Sequence, residues 1–125
     1  MSNQFVFSDA PSIVDQMWSA CPFLIGHAAI DYENGPTCVL GDVSRLARSG
    51  AISQEQVECI FAFFNDVAER GDNSALDVLA TGALESMNDD AASQRLARRY
   101  LRGKALGLLE EMRISWGQPD HGEAS

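Results

Sequence analysis

The cysteines and histidines are the side chains of this sequence that could act as a nucleophile, a base or a metal ligand. The cysteines are Cys21, Cys38 and Cys59, and the histidines are His27 and His121. A catalytic thiol needs a positioned base beside it, and no protease signature surrounds Cys21 and His27. The cysteines form no CxxC and lack the ligand spacing of zinc sites. We therefore expect no nucleophilic enzyme and no metal site, and we expect the cysteines to be small, reduced core residues.

Carboxylates are far more numerous, because the chain has 18 Asp and Glu against 9 Lys and Arg, a net charge of −9. General acid–base catalysis needs two carboxyl groups that converge in a cleft, whereas acids spread along a helix face point into solvent. A metal site in a helical bundle would need Glu-x-x-His, and a phosphate site would need a glycine-rich loop; neither pattern occurs. We expect a protein that is not an enzyme and that carries no cofactor.

The net charge also bears on the class of partner. Nucleic acids and anionic membranes are bound through clustered Lys and Arg, so we predict neither as a partner. Residues 43–64 have the spacing of a helix-turn-helix, but the second helix would present acids to DNA phosphates. No apolar run could cross a bilayer and no signal peptide is recognisable, which predicts a cytoplasmic protein. A basic block, expected to pair with nearby acidic helices, comprises Arg95, Arg98, Arg99, Arg102 and Lys104.

The elements that must position these groups are helices. Apolar residues recur at spacings of three and four, which predicts an all-α fold: a single compact bundle of about five to six helices, or stacked helical hairpins. We assign residues 1–116 to one domain and 117–125 to a flexible tail. Pro22 to Ile30 fits a short helix or an extended piece. The first predicted helix follows Ser8 or Asp9 and stops before Pro22, and the last follows Gly103. The four between them run from Thr37 to Gly50, from Gln54 to Arg70, from Asn73 to Met87 and from Ala91 to Leu101.

The third predicted helix has the clearest signals. Ser53 and Gln56 form an S-x-x-Q capping box, and an apolar arc runs along one side of the helix. Phe63 lies at the flank between the apolar and acidic sides, where a core residue and an interface anchor look alike. In the following helix, Gly82 could permit close approach of another helix. The acids on the face opposite the apolar arc are Glu55, Glu58, Asp66 and Glu69.

Five short motifs resemble a family of small helical bacterial proteins encoded beside polymorphic and secreted toxins. The resemblance covers about Ile30 to Met112, and the chain departs from the family pattern by the insertion of Arg102 in the last motif. The motifs are IDYENG at 30–35, VLGDV at 39–43, CIFAFF at 59–64, LATGALE at 79–85 and YLRG at 100–103.

The resemblance implies an immunity protein that binds and neutralises a cognate toxin, and it brings no catalytic residues. An acidic helix face suits a toxin whose active site is basic because it handles a nucleic acid or a nucleotide. The face is either the acidic side of the third helix or the turn after Ile30. A helical adaptor for a basic peptide or protein surface is the alternative, and the oligomeric state stays open. The predicted binding residues are Asp31, Tyr32, Glu33, Glu55, Glu58, Phe63, Asp66 and Glu69, with Phe63, Tyr32 and Trp116 as anchors.

Overall fold

The structure, a computed structural model, describes residues 10–31, 33 and 35–115. The predicted anchors Tyr32 and Trp116, the second histidine His121 and the predicted tail 117–125 lie outside the described residues. Within the described ranges the fold is all-α and contains no strand, as predicted. The α-helices are α1 (Ala10–Ala20), α2 (Pro36–Arg48), α3 (Gln54–Arg70), α4 (Asn73–Val78), α5 (Ala91–Tyr100) and α6 (Gly103–Ser115).

The predicted helix boundaries are confirmed at the strongest sequence signals. The Gln56 amide donates to Ser53 Oγ and the Ser53 amide donates to Gln56 Oε1, each at 3.1 Å, so the capping box starts α3. Gly50 has a φ of +80°, a left-handed conformation that favours glycine, two residues after α2 ends. The segment after α1, whose structure the sequence left open, forms a short 3₁₀ turn over Pro22–Leu24 and then continues as turns.

The fourth predicted helix keeps its position but changes its type along its length. The α-helical part ends at Val78, and a π-helix over Leu79–Leu84 and a 3₁₀ turn over Glu85–Asn88 follow. The change coincides with the packing of this segment against α2: a Cβ added at Gly82 would lie 2.6 Å from the Thr37 carbonyl oxygen. The prediction of close approach at Gly82 is therefore confirmed. The prediction of one regular helix to Met87 is wrong, because apolar periodicity does not report a local change of hydrogen-bond register.

The core lies between α2, α3 and the π-helix, with α1 and α6 completing it. The Phe61 ring stacks on the Tyr100 ring at 5.3 Å between centroids, which joins α3 to α5. Asn65 bridges the same region, since its Nδ2 donates to the Tyr100 carbonyl at 3.1 Å and its Oδ1 accepts from the Arg102 amide at 2.8 Å. None of the described helices is both long and apolar enough to span a bilayer. The largest fully buried side chains include Phe61, Phe64, Leu40, Leu79, Leu84 and Leu109.

Candidate functional site

The acidic side of α3 forms a stripe along the helix. We call Glu55, Glu58, Asp66 and Glu69 the acidic stripe. Three of its members are exposed, and Asp66 is half-buried. At 1.5 Å per residue the stripe extends about 21 Å, about four turns of helix. The predicted placement of these acids on the outer face of α3 is therefore confirmed.

The two halves of the acidic stripe differ in their intramolecular partners. Asp66 pairs with Arg70 one turn further on, and Glu69 Oε2 accepts a hydrogen bond of 3.0 Å from the Lys104 amide at the start of α6. Within the described ranges Glu58 accepts a bond of 3.1 Å from the neutral side chain of Gln54 and forms no ion pair. The amino-terminal half, Glu55 and Glu58, thus keeps both charges without a cationic partner among the described residues, whereas Arg70 pairs with Asp66 in the other half. Sequence reasoning missed the role of Glu69, because its partner is a backbone amide 35 positions away.

Phe63 does not belong to the exposed surface. Its relative exposure is 3%, and its ring centroid lies 6.2 Å from that of Phe64. The prediction of Phe63 as an interface anchor is therefore wrong for this structure, and the core-edge alternative holds. The physical reason is that neighbouring elements cover the flank of α3, which the helix pattern by itself does not show. The one large apolar side chain exposed in the described part is Ile25, at 59%, which the sequence analysis did not single out.

The turn after Ile30 is fastened to α2. The Asp31 amide donates to Asp42 Oδ2 at 2.9 Å, and the Glu33 amide donates to Asp31 Oδ1 at 3.0 Å. The other oxygen of Asp42 pairs with Arg45. Asp42 thus connects the IDYENG and VLGDV motifs, and the side chains of Asp31 and Glu33 are exposed on a turn with fixed backbone bonds.

A groove runs along the contact between α2 and the helical segment 79–89. Its volume is about 380 Å³, and its narrow part is the approach of Gly41 to Gly82. Arg45 brings a positive charge to the groove, while Glu85 and Asp89 bring negative charges. The remaining lining is small and polar, so the groove suits a polar segment rather than an apolar ligand. Its lining residues are Thr37, Cys38, Gly41, Arg45, Thr81, Gly82, Glu85, Ser86 and Asp89.

The basic block is only partly paired with acids. Arg98 Nε lies 2.9 Å from Glu110 Oε2, as predicted for this block. Arg102 instead donates to the Arg99 carbonyl at 2.7 Å, and the Arg99 guanidinium lies 5.6 Å from the Tyr100 ring centroid. The prediction of pairing with acidic helices therefore holds for Arg98. Arg102 has no acidic partner among the residues that the structure describes, and its bonds to backbone carbonyls lie at the end of α5.

The cysteines differ from one another in burial. Cys21 is buried as predicted and Cys59 is half-buried, whereas Cys38 is exposed on α2, where it lines the groove. The prediction of a core position is therefore wrong for Cys38. Burial, and after it the hydrogen bond and charge of Cys59, raise the pKa of Cys21 far above its ordinary value. His27 Nδ1 accepts a hydrogen bond of 3.1 Å from the Ala29 amide.

The described ranges contain no cluster that could bind a metal ion, and the comparisons with known proteins found no relative. No group of three or more His, Cys, Asp or Glu side chains in the described ranges could hold a metal ion. No protein-family model, no curated protein and no solved structure matches this chain. What is shown is therefore an all-α bundle with an acidic stripe on α3, a fastened acidic turn and a polar groove.

Proposed function

We propose that this chain is an immunity protein that binds a cognate bacterial toxin and covers the toxin's active site with an acidic surface. The observation that carries the proposal is the exposed pair Glu55 and Glu58, whose charges no Lys or Arg in the described ranges compensates. The resemblance of five motifs to proteins encoded beside toxins supports the same function.

The physics of encounter favours this surface. Opposite potentials on two proteins raise the association rate by about 10-fold to 1,000-fold and penalise partners of the wrong charge. Glu55 and Glu58 sit in the first turns of a helix fixed by a capping box, so little backbone conformational entropy is lost when a partner engages them. A basic active site, built to hold phosphate groups, is the complementary surface.

Affinity requires apolar contacts in addition to charge. Since Phe63 is buried, the predicted anchors that remain are Tyr32 and Trp116, and exposed Ile25 is a further apolar contact. Acids at the edge of such an interface set the rate and the specificity of binding.

The test is co-expression of this chain with a bacterial toxin domain, sought first in the genes next to its own. Simultaneous Glu55→Lys and Glu58→Lys should abolish protection of the host cell. The matched control is Asp77→Lys with Glu111→Lys, which changes the net charge equally at exposed acids outside the stripe. Full protection by the stripe variant would exclude this surface. Glu69 is left unchanged, because reversing it would also remove the bond to α6.

Binding through the turn after Ile30 is the main variant of the same proposal. In that case Glu33→Lys removes protection and the stripe variant retains it. Glu33 is exposed, and the bonds that hold the turn do not use its side chain. Asp31 is left unchanged, because its Oδ1 accepts a bond from the Glu33 amide. The two variants therefore separate the two surfaces.

The polar groove favours a second candidate function, a helical adaptor that holds a basic segment of another protein. A basic peptide would meet Glu85 and Asp89 there, since the charge of Arg45 is already paired with Asp42. Affinity purification with quantitative mass spectrometry distinguishes the two functions. An immunity protein recovers one dominant partner encoded next to it, and an adaptor recovers several proteins, which are lost on Glu85→Lys.

A further inference from the structure

Two cysteines from different helices meet at the junction of α1 and α3. Cys59 Sγ lies 3.0 Å from Cys21 Sγ and also 3.0 Å from the Ala20 carbonyl oxygen. Cys21 follows the last residue of α1 and is fully buried, whereas Cys59 is half-buried on α3. The two residues are 38 positions apart in the sequence, so the fold brings them together.

The backbone on both sides of this pair is held in place. The Cys21 amide donates to the Met17 carbonyl at 2.7 Å, and the Cys21 carbonyl accepts from the Leu24 amide at 3.0 Å. Cys59 lies in the second turn of the capped helix α3. A sulfur–sulfur bond is about 2.05 Å long, so the two sulfurs must approach by about 1 Å to form one.

We propose that Cys21 and Cys59 are an oxidation site that forms a reversible intramolecular disulfide when the protein meets a peroxide. The Cys59 thiolate attacks one peroxide oxygen, the O–O bond breaks, and water leaves after protonation. Cys59 is then a sulfenic acid. The sulfur of Cys21 attacks the sulfur of Cys59, the S–O bond breaks, and the Cys21 proton leaves with the hydroxide as a second water. Two thiols are oxidised by two electrons and one peroxide is reduced to two waters.

The order of the two steps follows from the surroundings of the sulfurs. Cys59 is the more accessible sulfur and therefore meets the oxidant first. Cys21 is fully buried, so peroxide from solvent does not reach its sulfur, whereas the sulfur of Cys59 lies 3.0 Å away. The pKa of Cys21 is raised by burial, so Cys21 gives up its proton only as the sulfur–sulfur bond forms and hydroxide leaves. Cys21 therefore resolves the sulfenic acid rather than forming one. The product ties α1 to the helix that carries the acidic stripe.

Intact-mass and peptide analysis of the full chain test the proposal. Trypsin leaves Cys21 and Cys38 on one peptide, because Arg45 is the first Lys or Arg, so the Cys38→Ser variant is used for mapping. After treatment with hydrogen peroxide and alkylation by N-ethylmaleimide in denaturant, we expect a loss of two hydrogen atoms and no alkylated cysteine. Dithiothreitol should restore two alkylation sites, and the digest should contain one cross-linked peptide pair.

The matched control is Cys21→Ser made in the Cys38→Ser protein. Its sulfenic acid has no resolving thiol in the chain, so Cys59 should proceed to the sulfinic acid, a gain of two oxygen atoms. Two alkylated cysteines after peroxide treatment of the Cys38→Ser protein would overturn the proposal, as would a sulfinic acid at Cys59 beside an alkylated Cys21. Peptide mapping of the Cys38→Ser protein decides the matter even if Cys21→Ser does not fold.

Discussion

Replacing Gly82 with alanine inserts a methyl group into the contact between α2 and the π-helix. The new Cβ would lie 2.6 Å from the Thr37 carbonyl oxygen and 3.1 Å from Leu40 Cβ. Neither neighbour can rotate away, since one is backbone and the other is bonded directly to backbone. Ordinary contacts begin at 3.4 Å, so the two segments must separate by about 0.8 Å.

The size of the effect follows from two opposing contributions. Overpacking a rigid contact costs about 1–3 kcal/mol, and two short contacts place Gly82→Ala near the upper end. Removing the conformational freedom of a helical glycine returns about 1 kcal/mol. We therefore expect the free energy of unfolding to fall by about 2 kcal/mol, which corresponds to a fall in Tm of about 8 °C for a chain of this length.

Thermal unfolding followed by far-UV circular dichroism measures this change. Gly107→Ala is the matched control, because it lies inside α6 and a Cβ there meets nothing within 4 Å. The control should raise the stability by about 0.5–1 kcal/mol, so the two substitutions should move Tm in opposite directions. An unchanged or raised Tm in Gly82→Ala would refute the steric argument, and with it the close approach of Gly82 to α2.

Three further predictions concern stability. Ser53→Ala removes one half of the capping box and should cost about 1 kcal/mol, measured by urea unfolding. Glu69→Ala should cost about 1 kcal/mol in the same assay, because the bond to the Lys104 amide is lost. Glu58→Ala, which loses only an exposed bond from Gln54, should cost less than about 0.5 kcal/mol, and equal effects would contradict a stabilising bond from Glu69 to α6. The raised pKa of Cys21 means that the folded state keeps a proton that the unfolded state releases above pH 9. The free energy of unfolding should therefore be unaffected by this group below pH 9 and fall by up to about 1.4 kcal/mol per pH unit above it. Cys21→Ala should remove this contribution to the pH dependence, and an unaltered pH dependence would contradict the effect of burial on the pKa.

Local signals in the sequence predicted the helices well because their causes are local. Ser53 and Gln56 form their two hydrogen bonds within one turn of helix, and Gly50 adopts the left-handed conformation that follows the end of α2. The apolar arc of α3 also needs no tertiary information. The helix bounds therefore followed from residues a few positions apart, and the all-α fold followed from the spacing of apolar residues.

The details that the sequence could not supply depend on contacts between distant segments. The burial of Phe63 and the exposure of Cys38 are decided by which neighbour covers each helix flank. The bond from Glu69 to α6 and the pairing of Cys21 with Cys59 join residues more than 30 positions apart. The candidate surface on α3 was predictable from periodicity. The division of its acids into those bonded to Arg70 or to the Lys104 amide and those without such a bond was not predictable.

The central claim is tested most directly by the rate at which the purified chain associates with the toxin domain that co-expression identifies. Stopped-flow fluorescence measures this rate as a function of ionic strength. If Glu55 and Glu58 guide the encounter, the rate constant should fall about 10-fold between low and physiological salt, and their reversal to lysine should remove most of that dependence. A rate constant that is insensitive to salt, or a salt dependence that survives the reversal, would contradict binding through the acidic stripe.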